Sequence, residues 1–167
     1  GFIAGAGLLA VVAAHSRVAR EHALLRAQVE AAEASLLREH ATHDELTGLL
    51  NRRGLTEAVA ELPAEPRTLV LIDCDRFKAV NDTYGHAVGD DLLRAIAGRI
   101  RSNLAREDIV ARWGGDEFLV VIRAPLADAP GLCERLHAAV TSGPVTSRAG
   151  VLPVAMCLGA AEWQIGR

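Results

Sequence analysis

Two adjacent carboxylates, Asp116 and Glu117, stand beside Gly114-Gly115 in the segment Arg112-Trp113-Gly114-Gly115-Asp116-Glu117-Phe118. Backbone stripped of side chains next to paired carboxylates suits a cation and a phosphate, although a solvated acidic turn has the same composition. A second acidic pair, Asp73 and Asp75, closes the apolar run Thr68-Leu69-Val70-Leu71-Ile72-Asp73. In open α/β sheets, chemistry gathers beyond the carboxyl ends of strands. Asp73, Asp75 and Asp116, with Glu117 beside them, form an all-oxygen donor set, which Mg²⁺ prefers. The plainer reading has Asp73 and Asp75 ending a strand and capping the next helix.

Elements of matching period must position these groups. Ile109-Val110-Ala111 and Phe118-Leu119-Val120-Val121-Ile122 flank the Gly-Gly turn, so a β-hairpin is predicted there. Residues 68–73 read as a buried strand. Residues 51–62 read as a helix with Leu55, Val59 and Leu62 on one face, stopped by Pro63 and Pro66. Residues 90–104 form a second amphipathic helix, with Leu92, Ile96, Ile100 and Leu104 at steps of four. Pro130 to Ser142 is a third, and a last strand is expected through residues 154–158. Strands and helices alternating around an antiparallel hairpin make an α+β domain.

The acidic residues belong to three motifs. They are Asp44-Glu45-Leu46-Thr47-Gly48-Leu49-Leu50-Asn51-Arg52-Arg53; the run from Asp73-Cys74-Asp75-Arg76-Phe77-Lys78 to Asn81-Asp82 and on through Gly85-His86 to Gly89-Asp90; and Gly114-Gly115-Asp116-Glu117-Phe118. In that order and spacing they resemble the GGDEF family, the diguanylate cyclases that make cyclic di-GMP from GTP. The resemblance covers roughly residues 44–160. It implies a mixed five-stranded sheet flanked by helices, like the palm of nucleotide cyclases and polymerases.

The resemblance also implies roles. Asp73 and Asp116 are side-chain ligands for Mg²⁺ or Mn²⁺, and the carbonyl of Cys74 is a third ligand. Glu117 either deprotonates a ribose 3′-hydroxyl or holds a second metal. Phe77 and Lys78 open a short helix whose N–H groups and added charge suit a triphosphate; a core phenylalanine beside a solvated lysine is the alternative. Gly114 and Gly115 bring backbone close to the substrate. Asn81 and Asp90 match the family's guanine readers, Asp90 having an alternative as a helix N-cap. His86 lies in the same loop and either touches the ligand or serves the turn. One domain holds one GTP, so the condensation of two GTP into cyclic di-GMP and two pyrophosphates needs a homodimer. A non-catalytic GGDEF module that binds GTP or a partner and regulates by dimerising is the alternative function.

Upstream, residues 1–14 carry no polar side chain and are followed by Arg17 and Arg20. A spanning helix needs about 20 apolar residues, so this stretch is expected to be the end of a transmembrane helix, its basic flank on the cytoplasmic side. That predicts a bacterial inner-membrane protein with its catalytic domain in the cytoplasm. Residues 15–43 lack Gly and Pro, and Val18, His22, Leu25, Val29, Ala32, Leu36 and His43 follow a heptad seam. A parallel coiled coil through residues 15–43 is expected to pair two copies, leaving 44–167 as the GGDEF domain, incomplete at its C-terminus.

Composition narrows the rest. The 167 residues carry a net charge of −3 and only 4% aromatic residues, with no basic stripe, so no nucleic acid is expected as a partner. Cys74, Cys133 and Cys157 are an odd number without metal-ligand spacing, consistent with a reducing compartment. Cys157 stands where the family often has serine. Many members carry an inhibitory Arg-x-x-Asp motif before the GGDEF string; here those residues are Ala105-Arg106-Glu107-Asp108, with alanine in the arginine position.

Overall fold

The computed structural model describes residues 2–163, with side chains at positions 15, 17 and from 20 onward. The chain divides between His40 and Ala41 into two units. Nearly all of the first lies in helix α1 (Phe2–Thr42). Leu24, Leu25, Val29, Leu36 and Leu37 are all exposed along it. The seam position Val18 lies outside the described side chains, as do those of the expected membrane segment. Among the described residues, no helix is long and apolar enough to cross a membrane.

The second unit is built on strands whose alternation sets two faces. In β1 (Arg67–Cys74), Val70, Ile72 and Cys74 are buried on one side, while Leu71 and Asp73 are exposed on the other. Strands β2 (Ile109–Arg112) and β3 (Glu117–Ile122) form the expected hairpin. Strand β3 pairs with β1, and β6 (Met156–Trp163) pairs along β1's other edge. Among the described residues the order is β2-β3-β1-β6 and every pairing is antiparallel, a four-stranded sheet in place of the mixed five-stranded one expected. What stands at a fifth place is a single parallel bridge, Leu50 to Ala111, closed by Arg112 N–H donating to the Leu50 carbonyl at 2.8 Å. The Gly48 turn and the Asn51 helix cap leave no length there for a strand.

Helices α4 (His86–Ser102) and α5 (Ala129–Thr141) cover the face bearing Val70, Ile72, Phe118 and Val120. Leu93, Ile96, Ile100, Leu136 and Val140 seal it, each almost fully buried. Each such side chain contributes about 1.5–3 kcal/mol of transfer free energy. Helix α2 (Arg52–Ala60) puts Leu55 on the opposite face with Ala111, Leu119 and Val121. Its start is fixed by Asn51, whose Oδ1 accepts Gly54 N–H at 2.9 Å and whose amide donates to the Ala41 and His43 carbonyls.

Helix α4 starts four residues before the predicted boundary. Gly89, left outside the predicted helix, sits inside it where α3 (Phe77–Tyr84) crosses α4. A Cβ at Gly89 would collide with the Asn81 side chain and press on Phe77. Asp90 is therefore an interior helix residue, and its N-cap alternative is overturned; Gly85 occupies the cap. A short hairpin, β4 (Val145–Ser147) and β5 (Gly150–Leu152), was not predicted. Strand β6 runs further than expected because its register with β1 carries the weak strand formers Gly159, Ala160 and Ala161.

Candidate active site

The carboxylates collect where β1 ends and β3 begins. Asp73 and Glu117 are direct cross-strand partners, and Asp73 faces Cys157 of β6 on its other side. Side chains directly opposite on one face lie about 4.5–5.5 Å apart at Cβ, so like charges there repel. Asp116 joins them through the backbone, Cys74 N–H donating to its carbonyl at 3.3 Å. The charge they concentrate is felt by the Cys74 thiol. Burial pushes that thiol's pKa up to about 12, and Asp116, Asp73 and Asp75 each push the same way.

The Cys74 side chain points into the core, 2% exposed, so the thiol is no ligand and only the main chain of Cys74 is available. Among the described residues, no three His, Cys, Asp or Glu side chains come together as a metal cage. The donor set nevertheless fits Mg²⁺. This ion binds through one or two carboxylates and keeps its other positions for water and substrate phosphates. Asp73, Asp116 and the Cys74 carbonyl are hard oxygen donors, and Asp73, Asp75 and Asp116 all bring negative charge to Cys74, offset in part by Arg112.

The Gly-Gly turn is held from outside. Arg112 Nε and Nη2 donate to the Gly115 carbonyl at 3.1 and 2.7 Å, and Nη1 donates to both Asp44 oxygens at 3.2 and 3.1 Å. Trp113 N–H closes the turn onto the Glu117 carbonyl at 2.8 Å. The Glu117 carboxylate lies over Gly114, where an added Cβ would stand 2.9 Å from Oε2. Asp44 belongs to the first motif, but Arg112 was not singled out in the sequence; an arginine two residues before the Gly-Gly pair was the available signal.

Beyond β1 the chain turns through Arg76, which has positive φ (60°), into α3. Phe77 is half-buried against the core and packs on Gly89, so its core role holds. Lys78 is exposed on the same helix. Asn81 and Asp90 come from the two helices that cross at Gly89. Asn81 Oδ1 is buried without a hydrogen-bond partner, an acceptor left for a donor to satisfy. His86 is exposed at the first position of α4. Asp75 N–H donates to the Ala155 carbonyl at 3.0 Å, and the exposed Cys157 thiol donates to Asp75 Oδ1 at 3.1 Å.

Residues 41–165 match the family model described as "Diguanylate cyclase, GGDEF domain". The response regulator PleD of Caulobacter vibrioides is 41% identical over 130 residues, covering 72% of this chain and 29% of PleD. Diguanylate cyclase DgcM of Escherichia coli is 44% identical over 112 residues, covering 61% of this chain and 27% of DgcM. The chain thus spans less than a third of these relatives. Among solved structures, the coiled coil and GGDEF domain of DgcB from Caulobacter crescentus, in complex with c-di-GMP, superposes with a TM-score of 0.76. It shares 28% identity and covers 92% of this chain and 84% of that one. Diguanylate cyclase SiaD of Pseudomonas aeruginosa, in complex with its activator SiaC, gives a TM-score of 0.70 at 33% identity, covering 98% and 70%.

Proposed function

The chain belongs to the GGDEF family of diguanylate cyclase domains, and from that premise we propose that it condenses two GTP into cyclic di-GMP across a pair of facing domains. The observation that carries this reading is the Asp73–Glu117 pair at two strand ends, with Asp116 bonded beside it through Cys74. Phosphoryl transfer is catalysed almost entirely by positioning and charge neutralisation, and these groups serve both.

Asp73, Asp116 and the Cys74 carbonyl would hold Mg²⁺ or Mn²⁺, which would supply positive charge to the phosphate oxygens. Backbone N–H groups at the start of α3, with Lys78, receive the triphosphate. Gly114 and Gly115 let main chain approach it without side-chain obstruction. Glu117, lying over Gly114, accepts the proton of the attacking 3′-hydroxyl. Asp90 accepts from the guanine N1–H and exocyclic amine, and the unpaired Asn81 Oδ1 is a further acceptor on that side of the base. Adenine offers no such donor pair, and a site built on these bonds rejects it by roughly 10⁴-fold. His86, exposed at the first position of α4, is a further candidate contact for the bound nucleotide.

Two domains must meet for both transfers, because each 3′-hydroxyl attacks the α-phosphate of the GTP held by the other domain. The exposed apolar residues Leu24, Leu25, Val29, Leu36 and Leu37 on α1 support pairing of two copies through residues 15–43. Holding two half-sites together raises their effective concentration without new contacts. Placement at a bacterial inner membrane, with this domain in the cytoplasm, rests on the apolar residues 1–14 and on Arg17 and Arg20; fractionation of cells expressing the intact protein tests it. The enzymatic reading is tested by incubating the intact protein with GTP and Mg²⁺ and resolving the nucleotide products.

A further inference from the structure

The start of α4 is weakly held by its own sequence. Gly85 at the cap offers no side-chain bond to the helix, and His86 and Ala87 are exposed. Helix ends leave their first N–H groups unsatisfied and fray unless something ties them down. The Gly85 carbonyl accepts the Val88 and Gly89 N–H groups and α3 packs on this turn at Gly89; one residue beyond Asp90, a second tie comes from the β4–β5 hairpin, far along the chain. Arg148 at its tip grips Asp91 with Nε at 2.9 Å to Oδ2, Nη2 at 2.9 Å to Oδ1, and its backbone N–H at 3.2 Å. Arg94 adds a further bond to Asp91 at 3.1 Å.

The tip itself is stiffened. Ser147 Oγ donates to the Gly150 carbonyl at 2.9 Å and accepts Ala149 N–H at 3.2 Å. At the root, Arg99 of α4 donates to the carbonyls of Val140, Gly143 and Pro144 at 2.6, 2.6 and 2.7 Å. The hairpin is thus strapped to α4 at two points more than two turns apart. Its outgoing end leads to Ala155, whose carbonyl receives Asp75 N–H at the carboxylate end of the site.

We propose that Arg148, held on Asp91, is a positioning residue for guanine recognition: by locking the early turns of α4 it sets the direction of the neighbouring Asp90 carboxylate. The proposal rests on the reading of Asp90 as the guanine acceptor. Adjacent helix residues are separated by about 100°, so a clamp on Asp91 fixes the rotation of Asp90 without covering it. A planar, two-pronged guanidinium restrains both tilt and rotation of a carboxylate, which a lysine ammonium does not. A purely structural pair at this exposure contributes little to stability, so its effect is expected in recognition and not in folding.

The test compares wild type, Arg148→Ala, Arg148→Lys and Asp91→Asn in the intact protein, with GTP and with ITP, which lacks the exocyclic amine. Arg148→Ala and Asp91→Asn should raise KM for GTP by roughly tenfold, the change given by about 1.4 kcal/mol of lost positioning. In both, kcat should stay within about twofold and the GTP-over-ITP preference should shrink in parallel. Arg148→Lys should fall between, and it serves if the alanine variant folds poorly. In an Asp90→Ala background, Arg148→Ala should add little, as for two residues acting through one contact. Unchanged KM and unchanged GTP-over-ITP preference in Arg148→Ala or Asp91→Asn overturns the proposal, whatever happens to melting temperature. Wild type that does not bind GTP at all, measured by calorimetry with a non-hydrolysable analogue, overturns the cyclase reading, and the proposal with it.

Discussion

Arg112 joins Asp44 to Gly115: one guanidinium bonds both oxygens of the Asp44 carboxylate and, through two other N–H groups, the carbonyl in the middle of the Gly-Gly turn. Asp44 is itself fixed by Thr47, whose hydroxyl and N–H donate to Oδ1 at 2.7 and 2.9 Å. The turn that carries the proposed metal ligand and base is therefore braced by residues 44–47 of the first motif.

Arg112→Ala should lower kcat by roughly 10- to 100-fold, since misplacing catalytic groups by about 1 Å is enough for such a loss. Arg112→Lys should recover only part, having one point charge for two acceptors. Steady-state kinetics with circular dichroism as the folding control measures this.

The same brace predicts a pH dependence. Burial raises the pKa of Asp44, but the bonds from Thr47 and Arg112 outweigh it and leave the carboxyl below its ordinary value of 3.8. A depressed folded-state pKa stabilises the fold above the unfolded value, and that contribution is lost as pH falls through the folded one. Wild type should lose the contribution below about pH 4, where acidic carboxyls titrate. Asp44→Asn should flatten that part of the stability–pH curve while leaving the region above pH 6 parallel to wild type. Thermal melts across pH 2.5–7 read it.

Much of this architecture was legible in the sequence. The β2–β3 hairpin followed from two β-branched runs about a Gly-Gly turn, and β1 from the apolar run that ends at Asp73. The start of α4 was not legible, because Gly89 serves a helix crossing that only the tertiary packing on Asn81 reveals. Hairpin β4–β5 escaped because three-residue strands show no period, and with it went the Arg148–Asp91 clamp. The carboxylate cluster was visible as residue types, but the Asp73–Glu117 pairing depends on register, which a one-residue slip would reverse.

Asp90→Ala should weaken GTP binding strongly and leave the melting temperature nearly unchanged. Asp90 is inside α4, so no cap is lost, and alanine is the better helix former by up to about 0.7 kcal/mol. Calorimetric titration beside thermal melts separates the two effects. A large fall in stability with intact GTP affinity contradicts the assignment.

Asp108 is expected to be structural. It is buried, and its carboxylate accepts Ala105 N–H at 2.9 Å and Arg123 N–H at 3.3 Å, capping the turn that enters β2. With alanine at 105, the motif's own arginine position offers no guanidinium fork. Added cyclic di-GMP should leave initial rates unaffected through this site. Asp108→Ala should cost about 1–3 kcal/mol of stability from stranded donors. Chemical denaturation and product-inhibition kinetics test both halves.

The most direct test of the central claim is product formation by the intact protein with GTP and Mg²⁺, run beside Asp116→Asn and Glu117→Gln. Both residues lie at the half-exposed turn, so neither variant should lose its fold. Wild type should yield cyclic di-GMP and pyrophosphate, and both variants should fall to background with an unaltered circular dichroism spectrum. Undiminished product from both variants would contradict the assignment of these carboxylates, and GTP left unconverted by wild type would contradict the cyclase reading itself.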